Sequence, residues 1–327
     1  MNLATELSGP DRFARRLRNP RPLLLDGGLA TQLEAQGVEL HPTLWSAGLL
    51  ASAPEAIQAA HRAYLDAGAE VLITASYQAS RAGFATLGMK AQEADALLRR
   101  SVELARTAGA ESRREDILLA ASVGPWGATQ HDGSEYTGRY ALDEAGLASF
   151  HAERLAVLDT AGADVLACET LPHAREIAVL AELLRDCHTP AWVSFCCRDE
   201  ETLQDGTPLA EAAAALANHP RVLALGINCT APRHVLGALG NLRAAVPELP
   251  VLVYPNSGER YDPETQRWSG LLTHPDAAAA ARSWIEAGAR GVGGCCRMGP
   301  AHIAAMRQSI RDMPRPTGPG PQEETGP

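Results

Sequence analysis

Cys229, Cys295 and Cys296 are the residues of this chain whose type and spacing could do chemistry. The vicinal pair lies in Gly291-Val-Gly-Gly-Cys-Cys-Arg-Met-Gly-Pro300, where a short apolar run gives way to a Gly-Pro turn. Cys229 closes a second apolar run, Gly226-Ile-Asn-Cys229. Three thiolates suit zinc and leave one tetrahedral position open, the arrangement of a catalytic zinc rather than a structural one. The alternative is that all three are small side chains packed at strand ends, as free cysteines often are. A structural disulfide between the neighbours is not expected, because reducing compartments keep thiols free.

Elements must bring these positions together. Pro22-Leu-Leu-Leu-Asp26 reads as a buried strand, and Gly27-Gly28 turns the chain into a helix near Leu29–Gln36. A helix is expected from Pro54 to Ala67, capped by Gly68, with Val71-Leu-Ile-Thr74 following as a strand. The unit recurs: Ala67-Gly-Ala, Ala108-Gly-Ala, Ala161-Gly-Ala and Ala287-Gly-Ala each precede an apolar run, as if a helix ended on the glycine each time. Eight such runs lie near Leu23, Val71, Leu118, Val165, Trp192, Val222, Val251 and Gly291. Continuous apolar strands alternating with helices make a parallel sheet covered on both faces. Eight units predict a single-domain (β/α)8 barrel of the TIM type; an open doubly wound sheet is the alternative. Residues 1–20 are expected to form a polar, Arg-rich short helix or arm outside the core, 21–313 the barrel, and 314–327 a disordered tail rich in Pro, Gly and Glu.

The 327 residues, 46% of them hydrophobic, suffice for a large core without staples. Thirty-nine acidic against 29 basic side chains give a net charge of −10, which argues against nucleic-acid binding and mildly favours a cationic ligand. No apolar run approaches the ~20 residues that span a bilayer. Arg15-Arg16 has no apolar segment behind it, and the seven cysteines fit a reducing compartment, so a cytoplasmic location is expected.

Polar and reactive residues gather where strands end: Asp26-Gly27-Gly28, Thr74, Gly124-Pro-Trp126, Cys168-Glu169-Thr170, Cys196-Cys197, Asn228-Cys229, Tyr254-Pro-Asn256 and Cys295-Cys296. In a parallel barrel these ends share the catalytic face. Cys295-Cys296 has glycines on both sides that free it from strand alternation, whereas Cys196-Cys197 has none and reads as packing. Glu169 needs a partner or a polar site, since a lone buried carboxylate is costly. Asp26 could equally be a helix N-cap, and Asn256-Ser-Gly258 an Asx-type turn.

Asp26-Gly-Gly-Leu-Ala-Thr-Gln-Leu-Glu34, Ile73-Thr-Ala-Ser-Tyr-Gln78, Ser122-Val-Gly-Pro125, Ala167-Cys-Glu-Thr-Leu-Pro172, Gly226-Ile-Asn-Cys229 and Gly293-Gly-Cys-Cys-Arg297 resemble the homocysteine S-methyltransferases, most closely the bacterial branch that uses S-methylmethionine. The likeness runs from about Leu23 to Met306. It implies a zinc-dependent barrel enzyme that makes methionine from L-homocysteine, with zinc on Cys229, Cys295 and Cys296. It also implies contacts to the homocysteine amino and carboxylate groups from Asp26, Gly27, Thr74 and Glu169. Asn256 and Trp126 join the substrate-binding set, Trp126 as a mouth residue tuned to the donor. Tyr77, Trp126 and Tyr254 could hold a sulfonium by cation–π contact. The rivals are S-adenosylmethionine or betaine as donor, selenocysteine or selenohomocysteine as acceptor, and a zinc- or redox-sensing protein built on the vicinal cysteines.

Overall fold

The computed structural model describes residues 9–41, 44–262, 267–270 and 276–313. All eight expected strands form: Leu23–Leu24, Val71–Ile73, Leu118–Val123, Val165–Leu171, Ala191–Phe195, Val222–Asn228, Val251–Tyr254 and Gly291–Val292. They are numbered first to eighth here. Every pairing between consecutive strands from second to seventh is parallel, the seventh pairs with the eighth, and the eighth with the first. The ring closes between first and second strands through a single bridge, Leu25 with Val71, where the Asp26 amide donates to the Val71 carbonyl at 3.1 Å. This is the (β/α)8 barrel that eight apolar runs predict, and the open sheet is set aside. A short antiparallel hairpin, Arg260–Asp262 with Arg267–Ser269, follows the seventh strand.

Side chains alternate across each strand, so the barrel has two cores. Leu23, Leu25, Val71, Leu118, Val165, Trp192, Ala224, Leu252 and Tyr254 fill the interior, while Leu24, Leu72, Leu119, Leu166, Val193, Leu225 and Val253 face the helices. The helix Pro54–Ala67 has the predicted bounds and ends on Gly68 at φ 107°. Gly162 and Gly288 also take positive φ, whereas the helix Ala91–Glu111 runs straight through Gly109, so that glycine is no cap. No helix among the described residues is long and apolar enough to cross a membrane.

The N-terminal segment corrects one expectation. Residues Gly9–Arg18 form a helix, and it is not outside the core. Phe13 is fully buried against Trp192, ring centroids 5.7 Å apart, and Leu17 joins the same interior cluster. The arginines that made this segment look solvated are its fasteners: Arg12 pairs with Asp164 at 3.2 Å and Arg16 with Glu70 at 2.7 Å. The expected tail, 314–327, lies outside the described residues.

Candidate metal centre

At the C-terminal ends of the strands the chain leaves regular pairing quickly. The eighth strand stops at Val292, so Cys295 and Cys296 stand on a loop, as the glycines around them suggested. That loop rests on the end of the first strand. A Cβ on Gly28 would lie 2.6 Å from the Cys295 carbonyl oxygen, and one on Gly27 2.2 Å from that of Met298. Glycine is needed there because backbone approaches backbone.

Cys229 follows the sixth strand with φ 46°, and Thr170 follows Glu169 at the end of the fourth with φ 61°. Non-glycine residues rarely hold that conformation unless their surroundings impose it. Asn228 does so: its Oδ1 accepts from the Thr170 amide and its Nδ2 donates to Thr170 Oγ1, both at 2.7 Å. Asn256 adds a bond from Nδ2 to the Cys229 carbonyl at 3.1 Å, while its Oδ1 accepts from the Gly258 amide.

Cys229, Cys295 and Cys296 bring their sulfurs within 4.8 Å of one another, a cluster able to hold a metal ion. Cys229 and Cys295 are joined in a disulfide, with Cα atoms 5.7 Å apart. Cys296 Sγ stands 3.7 Å from Cys229 Sγ and 3.9 Å from Cys295 Sγ. Tetrahedral Zn–S bonds of about 2.3 Å set neighbouring sulfurs about 3.8 Å apart. Two of the three spacings therefore already fit, and reducing the Cys229–Cys295 bond frees the third. Burial pushes the Cys296 thiol up to about 11, so a thiolate here calls for a cation. Cys196 and Cys197 are buried and outside the cluster, as expected of packing residues.

The sulfurs form one wall of a cavity of about 1110 Å³ including its mouth. Gly27, Thr74, Tyr77, Glu169 and Tyr254 line it, joined by Glu34, Trp45, Glu135 and Tyr136, while among the described residues no lysine or arginine does. Glu169 accepts from Ser122 Oγ at 2.5 Å. Burial pushes its carboxyl up to about 7, against hydrogen bonds from Ser122 and Tyr254. Asp26 lies behind Gly27, buried and not itself in the lining, close enough to Glu169 to feel its charge. It is no N-cap: Oδ2 accepts from the Ile73 amide at 2.8 Å, and buried Oδ1 has no partner. Burial, with the charge of Glu169 adding, raises its pKa well above the usual carboxylate range. The two desolvated carboxyl groups are near enough for the charge of one to act on the other, and a cation would relieve both.

Two expectations do not hold geometrically. Asn256 does not line the cavity; it buttresses the Cys229 loop and forms the Asx turn. Trp126 does not line it either. After Gly124-Pro125 the chain swings outward into the short helix Trp126–Thr129, the Trp126 amide donates to Glu176 at 2.6 Å, and the indole packs edge-on to Tyr140 at 5.3 Å. The loop returns to the cavity only at His131, Gly133, Glu135 and Tyr136. Tyr136 places its hydroxyl 3.7 Å from Cys296 Sγ. Glu135 and Tyr136 stand in a loop well past the third strand rather than at its end, so position alone did not single them out.

Fold and site together define a barrel enzyme whose thiol cluster faces an anionic, aromatic cavity. The family model for homocysteine S-methyltransferase matches residues 23–310, and the chain belongs to that family. It is 48% identical over 292 residues to the homocysteine S-methyltransferase of Escherichia coli, covering 87% of this chain and 94% of that protein. It is 44% identical over 300 residues to the homocysteine S-methyltransferase YbgG of Bacillus subtilis, covering 89% and 95%. The crystal structure of the metallated form of the E. coli homocysteine methyltransferase MmuM superimposes with a TM-score of 0.79 at 46% identity, covering 88% of this chain and 96% of that one.

Proposed function

We propose that this methyltransferase moves a methyl group from a small sulfonium donor, S-methylmethionine in the first instance, to L-homocysteine at a zinc ion held by Cys229, Cys295 and Cys296. The observation that carries the reading is the convergence of three sulfurs, from the sixth and eighth strands, on a cavity lined by the desolvated Glu169, with the buried carboxyl of Asp26 near enough to feel its charge. Zinc bound there would hold the homocysteine sulfur as a thiolate, the nucleophile that a free thiol with pKa near 8.5 supplies poorly at neutral pH.

The chain's own residues do the rest. Asp26 and Glu169 receive the homocysteine ammonium, which compensates their buried charge. Thr74 holds Ser76 at 2.7 Å and accepts from the Ser122 amide, fixing the wall behind Glu169. Tyr77 and Tyr254 exclude water and offer ring faces to a cation. In the transfer the methyl carbon bonds to the homocysteine sulfur as its bond to the sulfonium breaks. The leaving sulfur keeps that electron pair as a neutral thioether, so no general acid is required. The thiol proton leaves to solvent. The reducing cytoplasm suits an enzyme that depends on three free thiols.

The test is metal analysis with a donor panel. Reduced, zinc-loaded protein should carry one zinc per chain and form methionine from homocysteine and S-methylmethionine. Cys229→Ser, Cys295→Ser and Cys296→Ser should each lose zinc and activity while Cys197→Ser keeps both. Retention of zinc by Cys295→Ser together with its loss from Cys197→Ser would overturn the ligand set.

A further inference from the structure

Two lining carboxylates are left without a task by the reading above, the exposed Glu34 and the buried Glu135, and the buried one is the costly one. It sits in the turn Ser134–Tyr136, entered through Gly133 at φ 78° and fixed by Asp132, whose Oδ1 accepts from the Ser134 amide at 2.9 Å. The residue is nine-tenths buried, faces the cavity, and its Oε2 has no hydrogen-bond partner. Ser122 donates to Glu169, whereas Glu135 draws support from its own backbone amide and, among the described residues, from no side-chain donor. A desolvated carboxylate in this state is costly unless a ligand brings the missing positive charge. Its place narrows the choice of cation. The next residue, Tyr136, reaches Cys296, and the charge of Glu135 is felt at both Cys296 and Tyr77. Glu135 therefore lies at the reacting end of the cavity, where the donor's sulfur must come.

We propose that Glu135 is the anionic contact for the donor's sulfonium, with Tyr77 and Tyr136 as the aromatic faces beside it. A sulfonium has no N–H or O–H to donate, so it asks for bare negative charge and ring faces rather than directed hydrogen bonds. Its charge disappears as the methyl leaves, so this contact is strongest before transfer. It should set donor binding and selectivity for a charged donor, and not lower the barrier from the bound state.

This inference rests on the methyltransferase reading, and the experiment separates the two. Zinc-loaded wild type, Glu135→Gln and Glu135→Asp are titrated with S-methylmethionine and with its uncharged carbon isostere, 2-amino-5-methylhexanoate. Both ligands carry the same amino-acid end, so only the sulfonium differs. Steady-state kinetics give the homocysteine KM, the donor KM and kcat. Glu135→Gln should weaken S-methylmethionine about ten- to hundredfold, the range for one lost charged contact, in Kd and donor KM alike. Isostere affinity, homocysteine KM and zinc content should stay within about twofold of wild type, and kcat should not fall. Glu135→Asp, which keeps the charge, should retain most of the preference for the charged ligand; should Glu135→Gln fail to fold, a wild-type ratio of the two affinities in Glu135→Asp carries the test. Equal weakening of both ligands assigns Glu135 to the amino-acid end or to structure and overturns the proposal, as does unchanged donor affinity. A wild-type enzyme that turns over no sulfonium donor overturns the methyltransferase reading itself.

Discussion

Glu169 titrates where the enzyme works. Its folded pKa of about 7 lies above the ordinary 4.5, because burial disfavours the charge. The empty, metal-free protein thus holds that proton more tightly folded than unfolded. The corresponding stability is fully present below pH 4.5 and is lost as pH rises through 7. Glu169→Gln removes this pH dependence, so metal-free mutant and wild type should melt together below pH 4.5 and diverge by pH 8. There the mutant should be the more stable, by up to ~3 kcal/mol for a shift of this size. Calorimetry at the two pH values checks it, and a constant gap would discard the assignment. With homocysteine present the sign of the benefit reverses, since the ammonium pairs with the carboxylate. The same variant should raise the homocysteine KM about ten- to hundredfold with zinc retained. Trp126→Ala should leave kcat/KM for the donor within about twofold, because the indole packs on Tyr140 and not on the cavity. The cysteines and Glu169 stood out in the sequence because such residue types are out of place where an apolar strand ends, whereas Thr74 and Gly27 were pointed to by the family resemblance. Trp126 was misplaced for a complementary reason. It also follows a strand, but the side to which a loop turns depends on contacts such as the Trp126 amide with Glu176, fifty residues away.

Among the elements, the ends of the fourth and sixth strands form one unit joined by Asn228. Its side chain holds Thr170 at φ 61° while its own peptide delivers Cys229 at φ 46°. Side chains that orient ligands typically tune metal affinity 10- to 100-fold. Asn228→Ala should therefore weaken zinc binding by about that factor in a chelator competition, and should raise the homocysteine KM as well, through Glu169. A variant that shifted neither would show the two strand ends to be independent. Nothing in Gly-Ile-Asn-Cys announces this clamp, because its partner lies 58 residues earlier in the chain. What the pattern did carry was the strand itself and the break after it.

The whole barrel is fastened from below by the N-terminal helix. Phe13 plugs the interior against Trp192, and Arg12 and Arg16 bind carboxylates that follow the neighbouring helices, Asp164 and Glu70. Phe13→Ala should cost about 3–5 kcal/mol, as large-to-small changes at fully buried aromatics do. Zinc content and kinetics below the melting transition should be untouched, since the plug and the cavity occupy opposite ends. Loss of activity without loss of stability would contradict that separation. The eight-strand count was readable from apolar runs alone, whereas the plug was not: its two apolar side chains are diluted among five arginines and prolines, and composition averages over the face that matters.

The two ends of the barrel also set different clocks. The seam with least backbone pairing, between first and second strands, holds one bridge, while the three sulfurs straddle the seventh strand from its two neighbours. Releasing the metal frees two short loops and breaks no strand pairing. Opening the seam, by contrast, would expose the apolar interior to water. Demetallated protein should accordingly stay folded and take up metal again, and a Cys229–Cys295 disulfide should block that uptake without opening a strand pair.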